Sequence, residues 1–282
     1  MARSGRRRGR GGAHSLGVGV AFGRRILILA PHPDDEVVGC AAAIGRAKAA
    51  GAKVAVVFLT HGCVEQAAMW PWERARYQSA TARRRAESAA ACALLGAEPV
   101  GWSDRPARRL WRELADAERE ARRALVDTGA DQLWTPAYEG GNPDHDGASA
   151  LASRLAREGV PVLEFAEYNL CGGKACSQAF PAPNGTEEVL TLTDAERSLK
   201  RQALATYASE RGNLGYVATE REVLRPLARY DYATAPHAGK LWYARFQWVP
   251  FRHPQVDFTK PEAVSSALAA YLGADQPTLT ID

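Results

Sequence analysis

The sequence places a histidine and two aspartates close together near its start, and a second histidine far along the chain. His32 and Asp35 are three positions apart, and Asp34 lies between them. A catalytic zinc ion takes three protein ligands from histidine and carboxylate side chains and keeps a fourth position open for water. This spacing predicts a zinc site made of His32, Asp35 and His145, with Asp34 free to act on the water as a general base.

The segments around these residues predict strands and helices that would bring them together. Residues 25–30 form a continuous apolar run of strand length that ends at Pro31, which is typical of a strand buried on both faces. An alanine-rich helix is predicted for residues 35–50, and a second buried strand for residues 53–59. Short connections of this kind indicate a βαβ unit with parallel strands and a right-handed crossover.

The same alternation continues to about residue 168. We predict helices over residues 74–95 and 108–126 and from His145 to about 157, and strands over 98–102, 131–135 and 160–168. This order predicts an α/β fold with a Rossmann-like, mostly parallel sheet flanked by helices. In such sheets, ligands bind beyond the carboxyl ends of the strands, where the histidines and acids of this sequence stand.

The second half of the chain is harder to interpret from its sequence. A strand is predicted for residues 187–192 and a helix for 193–210, and the remainder is aromatic and rich in loops. We expect one domain over residues 24–282, with a core over 24–168 and a C-terminal portion over 169–282 that shapes the pocket. Residues 1–23 are expected to be a basic, flexible tail.

Three motifs in order along the chain resemble one known family. They are the run from Ile26 to Glu36, Arg84-x-x-Glu87, and the run from Tyr138 to His145. Over roughly residues 24–168 the sequence is similar to the PIG-L (LmbE-like) zinc-dependent N-deacetylases. The resemblance implies a zinc enzyme that removes the N-acetyl group from an N-acetylglucosamine-type sugar on a conjugate such as a glycolipid, a thiol precursor or an antibiotic.

The resemblance also implies roles for single residues. His32, Asp35 and His145 match the zinc ligands of the family, Asp34 matches the general base, and Arg84 matches a residue that contacts the sugar conjugate. One position departs from the pattern, because Asn142 stands where relatives commonly have a histidine that assists the developing oxyanion. An asparagine amide can donate a hydrogen bond there, but it cannot become a cation or pass a proton.

Other side chains are candidates for contact with the substrate. Trp70 and Trp72 predict either an aromatic platform for a sugar or acyl chain, or simple packing of a long loop. Glu167 is expected to bind a sugar hydroxyl or to pair with a buried arginine. Asp144 or Asp146, which flank His145, is expected to orient the ring of that histidine.

The composition excludes several other classes of protein. Hydrophobic residues make up 46% of the chain and charged residues 24%, as in ordinary globular domains. The formal charge of +4 comes from residues 1–25, which hold seven arginines and no acid, so the body of the protein does not resemble a nucleic-acid-binding domain. No apolar run is long enough for a transmembrane helix. Five scattered cysteines favour a reducing cytoplasm.

Two other functions remain open at this point. Paired aspartates after a first strand also serve magnesium-dependent phosphoryl transfer, although that chemistry favours an all-oxygen site and needs neither histidine. Asn142 leaves open a sugar-binding or regulatory module with a degenerate zinc site. A nucleotide-binding Rossmann module is not expected, because no G-x-G-x-x-G motif follows the first strand.

Overall fold

The computed structural model describes residues 21–274, and its centre is a seven-stranded sheet. In chain order its strands are β1 (Arg25–Ala30), β2 (Lys53–Phe58), β3 (Glu98–Trp102), β4 (Gln132–Pro136), β5 (Val162–Phe165), β8 (Glu188–Thr191) and β9 (Arg221–Pro226). The spatial order is β3-β2-β1-β4-β5-β9-β8. Strands β1 to β5 are parallel, and β9 and β8 add an antiparallel edge. Two further strands, β6 (Tyr168–Asn169) and β7 (Cys176–Ser177), form a separate antiparallel pair.

Helices cover both faces of this sheet. They are α1 (Asp35–Ala49), α2 (Tyr77–Leu95), α3 (Leu114–Thr128), α4 (Pro143–Arg157), α5 (Asp194–Thr206) and α6 (Pro261–Gly273). Helices α1, α2 and α5 pack together, whereas α4 packs with α3 and α6. The predicted Rossmann-like, mostly parallel sheet is therefore confirmed. Between residues 21 and 274, no helix is long and apolar enough to cross a membrane.

The first strand explains why the sheet forms at this place. Ile26 and Ile28 pack in the core that includes α1, and Leu27 and Leu29 pack in the core that includes α3 and α4. All four side chains are at most 1% exposed. Because neighbouring side chains of a strand point to opposite faces, an uninterrupted apolar run suits a strand that is covered on both sides.

Helix α1, which begins in the site, is broken in its middle. Cys40 leaves the helical conformation, and the backbone N–H groups of Ala42 and Ala43 donate instead to the Glu222 carboxylate at 3.0 and 2.9 Å. Lys200 binds Glu222 at 2.8 Å and also donates to the carbonyl of Val38 at 2.9 Å. A buried ion pair thus satisfies the backbone groups that the break would otherwise leave without partners.

Several elements differ from the sequence-based prediction. The helix predicted over 108–126 begins only at Leu114, because the Asp144 carboxylate holds the backbone N–H groups of Arg108 and Leu110. The strand predicted over 160–168 ends at Phe165. Strand β9 and helix α6 were not predicted.

The predicted tail lies almost entirely outside the described residues. Ala21 and Gly23 belong to its last positions, and both bind the Gln132 side chain, through Nε2 to the Ala21 carbonyl at 2.9 Å and Oε1 to the Gly23 amide at 3.0 Å. These bonds attach the chain beside the start of β4.

Candidate active site

Two imidazoles and one carboxylate converge at the carboxyl ends of β1 and β4. Nδ1 of His32 lies 3.2 Å from Nε2 of His145 and 3.4 Å from Oδ2 of Asp35. Nε2 of His145 lies 3.2 Å from Oδ1 of Asp35. One ligand atom from each residue lies within 4.8 Å of the other two, and all three side chains are buried. The structure therefore brings together the three predicted zinc ligands.

The turn between β1 and α1 sets the positions of His32 and Asp35. The backbone N–H of His32 donates to Oδ2 of Asp35 at 2.6 Å, which fixes the carboxylate toward the turn. Asp34 has a φ of 136°, a conformation that a residue with a side chain rarely adopts. Its backbone N–H donates to the buried Glu36 carboxylate at 3.1 Å, and Tyr207 binds the same carboxylate. Glu36 thus stabilises a strained turn in the site.

The charges of the site favour a cation. Burial alone would lower the pKa of His32, but the nearby carboxylates of Asp35 and Asp144 outweigh it and raise this pKa to about 10. Burial would raise the pKa of Asp35, but the imidazoles of His145 and His32 hold it well below its usual range. The buried acids therefore require a positive charge at their centre.

The donor set fits a zinc ion better than a magnesium ion. Two imidazole nitrogens and a carboxylate oxygen are typical zinc ligands, whereas magnesium prefers oxygen ligands throughout. Nδ1 of His32 and Nε2 of His145 both face Asp35. The second ring nitrogen of each histidine faces another acid, which is Asp144 for His32 and Glu167 for His145. This arrangement directs one ring nitrogen of each histidine to the centre of the cluster and places an acidic side chain behind each ring.

A carboxylate lies behind the His32 ring. Nε2 of His32 lies 3.1 Å from Oδ2 of Asp144, and the Asp144 carboxylate also accepts from the backbone N–H of Leu110 at 3.0 Å. Asp144 or Asp146 was expected to orient His145, and the structure places Asp144 against the other histidine. Asp146, the second candidate, accepts from the backbone N–H of Gly140 at 3.0 Å.

Glu167 occupies the corresponding place behind the His145 ring. Its Oε2 lies 3.7 Å from Nδ1 of His145, and its side chain is fully buried. Between residues 21 and 274, neither oxygen of Glu167 nor Nδ1 of His145 has a hydrogen-bond partner. Glu167 was expected to contact a sugar hydroxyl or an arginine, but the structure places it beside His145, a predicted ligand. The buried arginine pair involves Glu164 instead, with Nε of Arg225 at 2.6 Å.

Asp34, the predicted general base, faces the cavity beside the histidines and is held by Arg84. Nη2 of Arg84 lies 3.3 Å from Oδ2 of Asp34, and Nη1 lies 3.1 Å from Glu210. Burial raises the pKa of Asp34, and the Arg84 guanidinium limits that rise, so the pKa is about 7. Arg84 also donates to the carbonyl of Pro33. The arginine that the resemblance assigns to the substrate thus binds the proposed base.

A glycine after β2 makes room for this arginine. Gly62 has a φ of +76°, and a Cβ atom there would lie 2.8 Å from Nε of Arg84 and 2.9 Å from Pro33. A larger residue would therefore displace the guanidinium from Asp34. The neighbouring His61 binds Tyr77 at 2.9 Å and the Cys63 amide at 3.1 Å, which is a structural role in the turn.

Asn142 lies at the start of α4 and borders the cavity. Its Oδ1 accepts from the backbone N–H of Asp144 at 2.9 Å, so the side chain caps the helix. This bond uses the carbonyl end of the amide and leaves the NH₂ group as the donor. Burial raises the pKa of Tyr168 well above its usual value, and a side-chain hydrogen bond with Asn142 acts in the opposite direction. The two side chains therefore meet beside the cluster.

The C-terminal portion forms much of the cavity wall, as expected. The cavity has a volume of about 690 Å³, and the predicted residues His32, Asp34, Asp35, Arg84 and Asn142 line it. The chain after Asn169 contributes a second set of lining residues, which includes Glu210, Tyr216, Trp242, Arg245 and Phe246. Rings of this set are in contact, since Tyr216 lies 4.6 Å from Tyr168 and 5.5 Å from Trp242 between ring centroids.

The two tryptophans of the first long loop stack on each other at the rim. The ring centroids of Trp70 and Trp72 are 5.1 Å apart with an interplanar angle of 8°, and Trp70 also meets His253 edge to face at 5.2 Å. Their neighbours Met69 and Glu73 line the cavity. The tryptophans therefore lie beside the entrance to the cavity.

Sequence reasoning missed Tyr168, Tyr216, Trp242 and Glu210 as residues of the site. The many aromatic residues of the C-terminal portion were the available signal, but the sequence does not show which of their rings line the cavity. Glu210 is the last residue of the predicted helix and pairs with Arg84 across 126 positions, a contact that no local pattern reveals.

Comparison with known protein families and structures gives one family match. Residues 27–156 match the family model described as PIG-L, GlcNAc-PI de-N-acetylase. Comparison with curated protein sequences finds no match.

Several solved structures share the fold. A deacetylase of the teicoplanin biosynthesis pathway superposes with a TM-score of 0.59 at 19% identity, over 73% of this chain and 99% of that chain. An A40926 pseudoaglycone deacetylase gives 0.57 at 23% identity, over 73% and 98%. An N,N'-diacetylchitobiose deacetylase from Pyrococcus horikoshii gives 0.51 at 18% identity, over 72% and 84%. At these identities the likeness establishes a common fold.

Proposed function

We propose that the protein is a zinc-dependent deacetylase of amino-sugar conjugates, and the match of residues 27–156 to the PIG-L family model supports this proposal. The observation that carries the proposal is the convergence of His32, Asp35 and His145 within 4.8 Å, next to Asp34 in a cavity. The reaction adds water to an acetamide and yields acetate and a free amine. The names of the similar structures, which include a deacetylase of the teicoplanin biosynthesis pathway, an A40926 pseudoaglycone deacetylase and an N,N'-diacetylchitobiose deacetylase, support this class of substrate.

His32, Asp35 and His145 would hold the zinc ion, and Asp34 would move the protons. When bound, zinc lowers the pKa of water to about 7 and polarises an amide carbonyl. Oδ2 of Asp34 accepts from Arg84, so Oδ1 is the oxygen that we assign to the proton of the attacking water. The same carboxyl group then gives that proton to the departing nitrogen. General base catalysis of this kind contributes on the order of 10² to 10⁴ in rate.

Asn142 would stabilise the tetrahedral oxyanion with its NH₂ group. Because its Oδ1 is bound to the Asp144 amide, the amide has one orientation, and no rotation is needed during the reaction. Loss of one such donor typically costs about 3 to 4 kcal/mol in the transition state. Asn142 cannot pass a proton, so the proton transfers depend on Asp34.

The substrate would enter between the strand ends and the C-terminal portion. We assign the sugar ring to the faces of Tyr216 and Trp242, which border the cavity beside Asn142. Arg84 would act mainly through Asp34, because its guanidinium is buried and already has two acidic partners. Trp70 and Trp72 remain proposed contacts for the part of the conjugate that extends from the entrance.

We also propose that the protein works in a reducing compartment such as the cytoplasm. All five cysteines are free, and Cys171 and Cys176 remain unbridged although both lie in one small loop region. Free thiols of this kind fit a reducing environment.

The direct test is release of acetate from a panel of N-acetylated amino-sugar conjugates by the zinc-loaded protein. The proposal expects free amine and acetate in equal amounts from at least one conjugate, and release slowed by about 10² to 10⁴ after substitution Asp34→Asn. A protein that binds zinc and conjugates but releases acetate from none would instead be the sugar-binding module that Asn142 left open. Binding of magnesium in preference to zinc would favour phosphoryl transfer.

A further inference from the structure

An exposed aromatic surface lies beside the entrance to the cavity. Trp72 is 71% exposed and Phe251 is 57% exposed. A chain of ring contacts joins them through Trp70 and His253, with centroid distances of 5.1, 5.2 and 6.1 Å. Contiguous exposed apolar groups of this size commonly mark an interaction site. We call these four residues, together with Arg74, Arg76 and Arg252, the mouth surface.

The two most exposed rings of this surface lie outside the lining of the cavity. The cavity is lined by the neighbouring residues Met69, Glu73 and Pro254, whereas Trp72 and Phe251 lie outside its lining. A sugar held at the strand ends would therefore not cover the two most exposed rings. The mouth surface needs an occupant that approaches from outside the cavity.

The charges of the mouth surface have one sign. Segments 69–76 and 245–254 contain four arginines and one acid, Glu73. Arg74, Arg76 and Arg252 are exposed, whereas Glu73 is only partly so and faces the cavity. Exposed arginines next to tryptophan and phenylalanine are the combination that binds anionic lipid headgroups and the apolar layer below them.

We propose that the mouth surface docks the protein on an anionic lipid surface, with the entrance of the cavity turned toward the lipid. The aromatic rings would enter the interface between headgroups and acyl chains, and the three arginines would lie at the phosphate level. A protein partner would bring its own acids to neutralise these arginines, but a lipid surface also accommodates the uneven, protruding rings. Docking does not depend on the proposed deacetylation, and it can be measured without turnover.

Co-sedimentation of the full chain with vesicles tests the proposal. We expect the protein to bind vesicles of phosphatidylcholine mixed with phosphatidylglycerol, and to bind phosphatidylcholine alone at least about tenfold more weakly. The double variant Trp72→Ser, Phe251→Ser should lose about tenfold in affinity for the mixed vesicles. Its matched control is Val126→Ser, Val189→Ser, which alters two exposed apolar side chains elsewhere and should bind as the wild type does.

A second double variant and its control measure the contribution of the arginines to vesicle binding apart from that of the aromatic rings. Arg76→Gln, Arg252→Gln should lose about tenfold on mixed vesicles and little on phosphatidylcholine. The control Arg119→Gln, Arg123→Gln removes the same charge from exposed positions of α3 and should leave binding unchanged. All variants keep the arginines of residues 1–20, so any contribution of that segment is common to every sample.

Three results would overturn the proposal. Equal losses in a mouth-surface variant and its control would show that binding is nonspecific. Vesicle binding that no variant weakens would assign it to another part of the chain. A wild-type protein that stays in the supernatant with both kinds of vesicle would leave the mouth surface to a protein partner. Unchanged thermal unfolding of the variants would exclude misfolding as the cause of a loss.

Discussion

The floor of the cavity and its entrance are built in different ways. The floor consists of buried polar side chains at the ends of parallel strands, and each histidine that we propose as a ligand has an acid behind it, Asp144 for His32 and Glu167 for His145. The entrance consists of loops within residues 64–76, 210–216 and 242–257, where several large aromatic side chains are partly or mostly exposed.

We infer that the floor and the entrance of the cavity have different tasks. Buried polar groups are costly unless they are paired, so the floor tolerates little change and fixes the chemistry. The rings of the entrance are partly or mostly exposed, so we expect that they can change with small effects on the floor. Substitutions in the floor should therefore alter metal binding or the catalytic step, and substitutions at the entrance should alter binding of the substrate.

The largest effect is expected for the proposed ligands. Asp35→Ala or His145→Ala should remove the metal, because each change deletes one of three ligand atoms and leaves the other buried groups without a counter-charge. Metal content after dialysis measures this. Asp104→Ala is the matched control, since Asp104 also follows a strand end but is exposed, and it should retain the metal. Retention of the metal by both ligand variants would contradict the assignment.

The next largest effect is expected for Asp34, whose substitution should impair proton transfer and leave metal binding intact. Asp34→Asn should keep the metal but lower kcat by about 10² to 10⁴, since the amide cannot take a proton from water. Metal content and steady-state kinetics on the same sample measure both properties. A variant that loses its metal together with its activity would make Asp34 part of the metal site and would break this distinction.

Glu167→Gln tests whether Glu167 supports the His145 ring in the floor or contacts the substrate. We expect zinc affinity to fall by about tenfold to a hundredfold, because the acid behind a ligand histidine fixes its ring. Competition with a chelator measures this affinity. Glu164→Gln is the control, because it breaks a buried ion pair with Arg225. It should lower the free energy of unfolding by roughly 3 to 5 kcal/mol and leave zinc affinity unchanged. A raised KM with normal zinc affinity would instead favour the sugar contact expected from the sequence.

At the entrance, Tyr216→Ala should act on substrate binding alone. Loss of one aromatic face is worth about 1 kcal/mol, so KM should rise roughly fivefold while zinc affinity stays the same. Kinetics with a conjugate found in the acetate-release panel measures this. A change in zinc affinity would show that entrance and floor are not separate.

The smallest effects concern Asn142. Asn142→His should keep the metal and raise kcat, because an imidazole can also carry a charge beside the oxyanion. The same change removes the helix cap formed with the Asp144 amide, and it should lower the free energy of unfolding by about 1 kcal/mol. Denaturant unfolding and kinetics measure the two changes. A slower His variant would show that Asn142 is not a weakened substitute.

The part of the floor at the end of β1 could be predicted from the sequence, because neighbouring positions in the chain determine where its residues lie. The apolar runs that form β1 and β2 enclose one helix, and this order alone places His32, Asp34 and Asp35 at the end of a buried strand. The βαβ pattern then places His145 at the same edge of the sheet. Helix α6 also had a local signal in Pro261 and its alanines, which the prediction overlooked.

The rest depends on contacts between distant parts of the chain. Strand β9 contains Arg221, Glu222 and Arg225, so it does not resemble a buried strand, yet Glu222 pairs with Lys200 and Arg225 pairs with Glu164. Glu167 was placed in a strand, but β5 ends at Phe165 and the chain turns. The direction in which such a side chain points depends on a partner far away in the sequence. The periodicity of the local sequence does not reveal that partner.

X-ray absorption at the zinc edge of the loaded protein tests the central claim most directly. The account predicts one zinc ion per chain, with two imidazole nitrogens and carboxylate oxygen in its first coordination sphere, and one imidazole signal lost in His145→Ala. A coordination sphere of oxygen atoms alone, or one that includes sulfur, would contradict a site made of His32, Asp35 and His145.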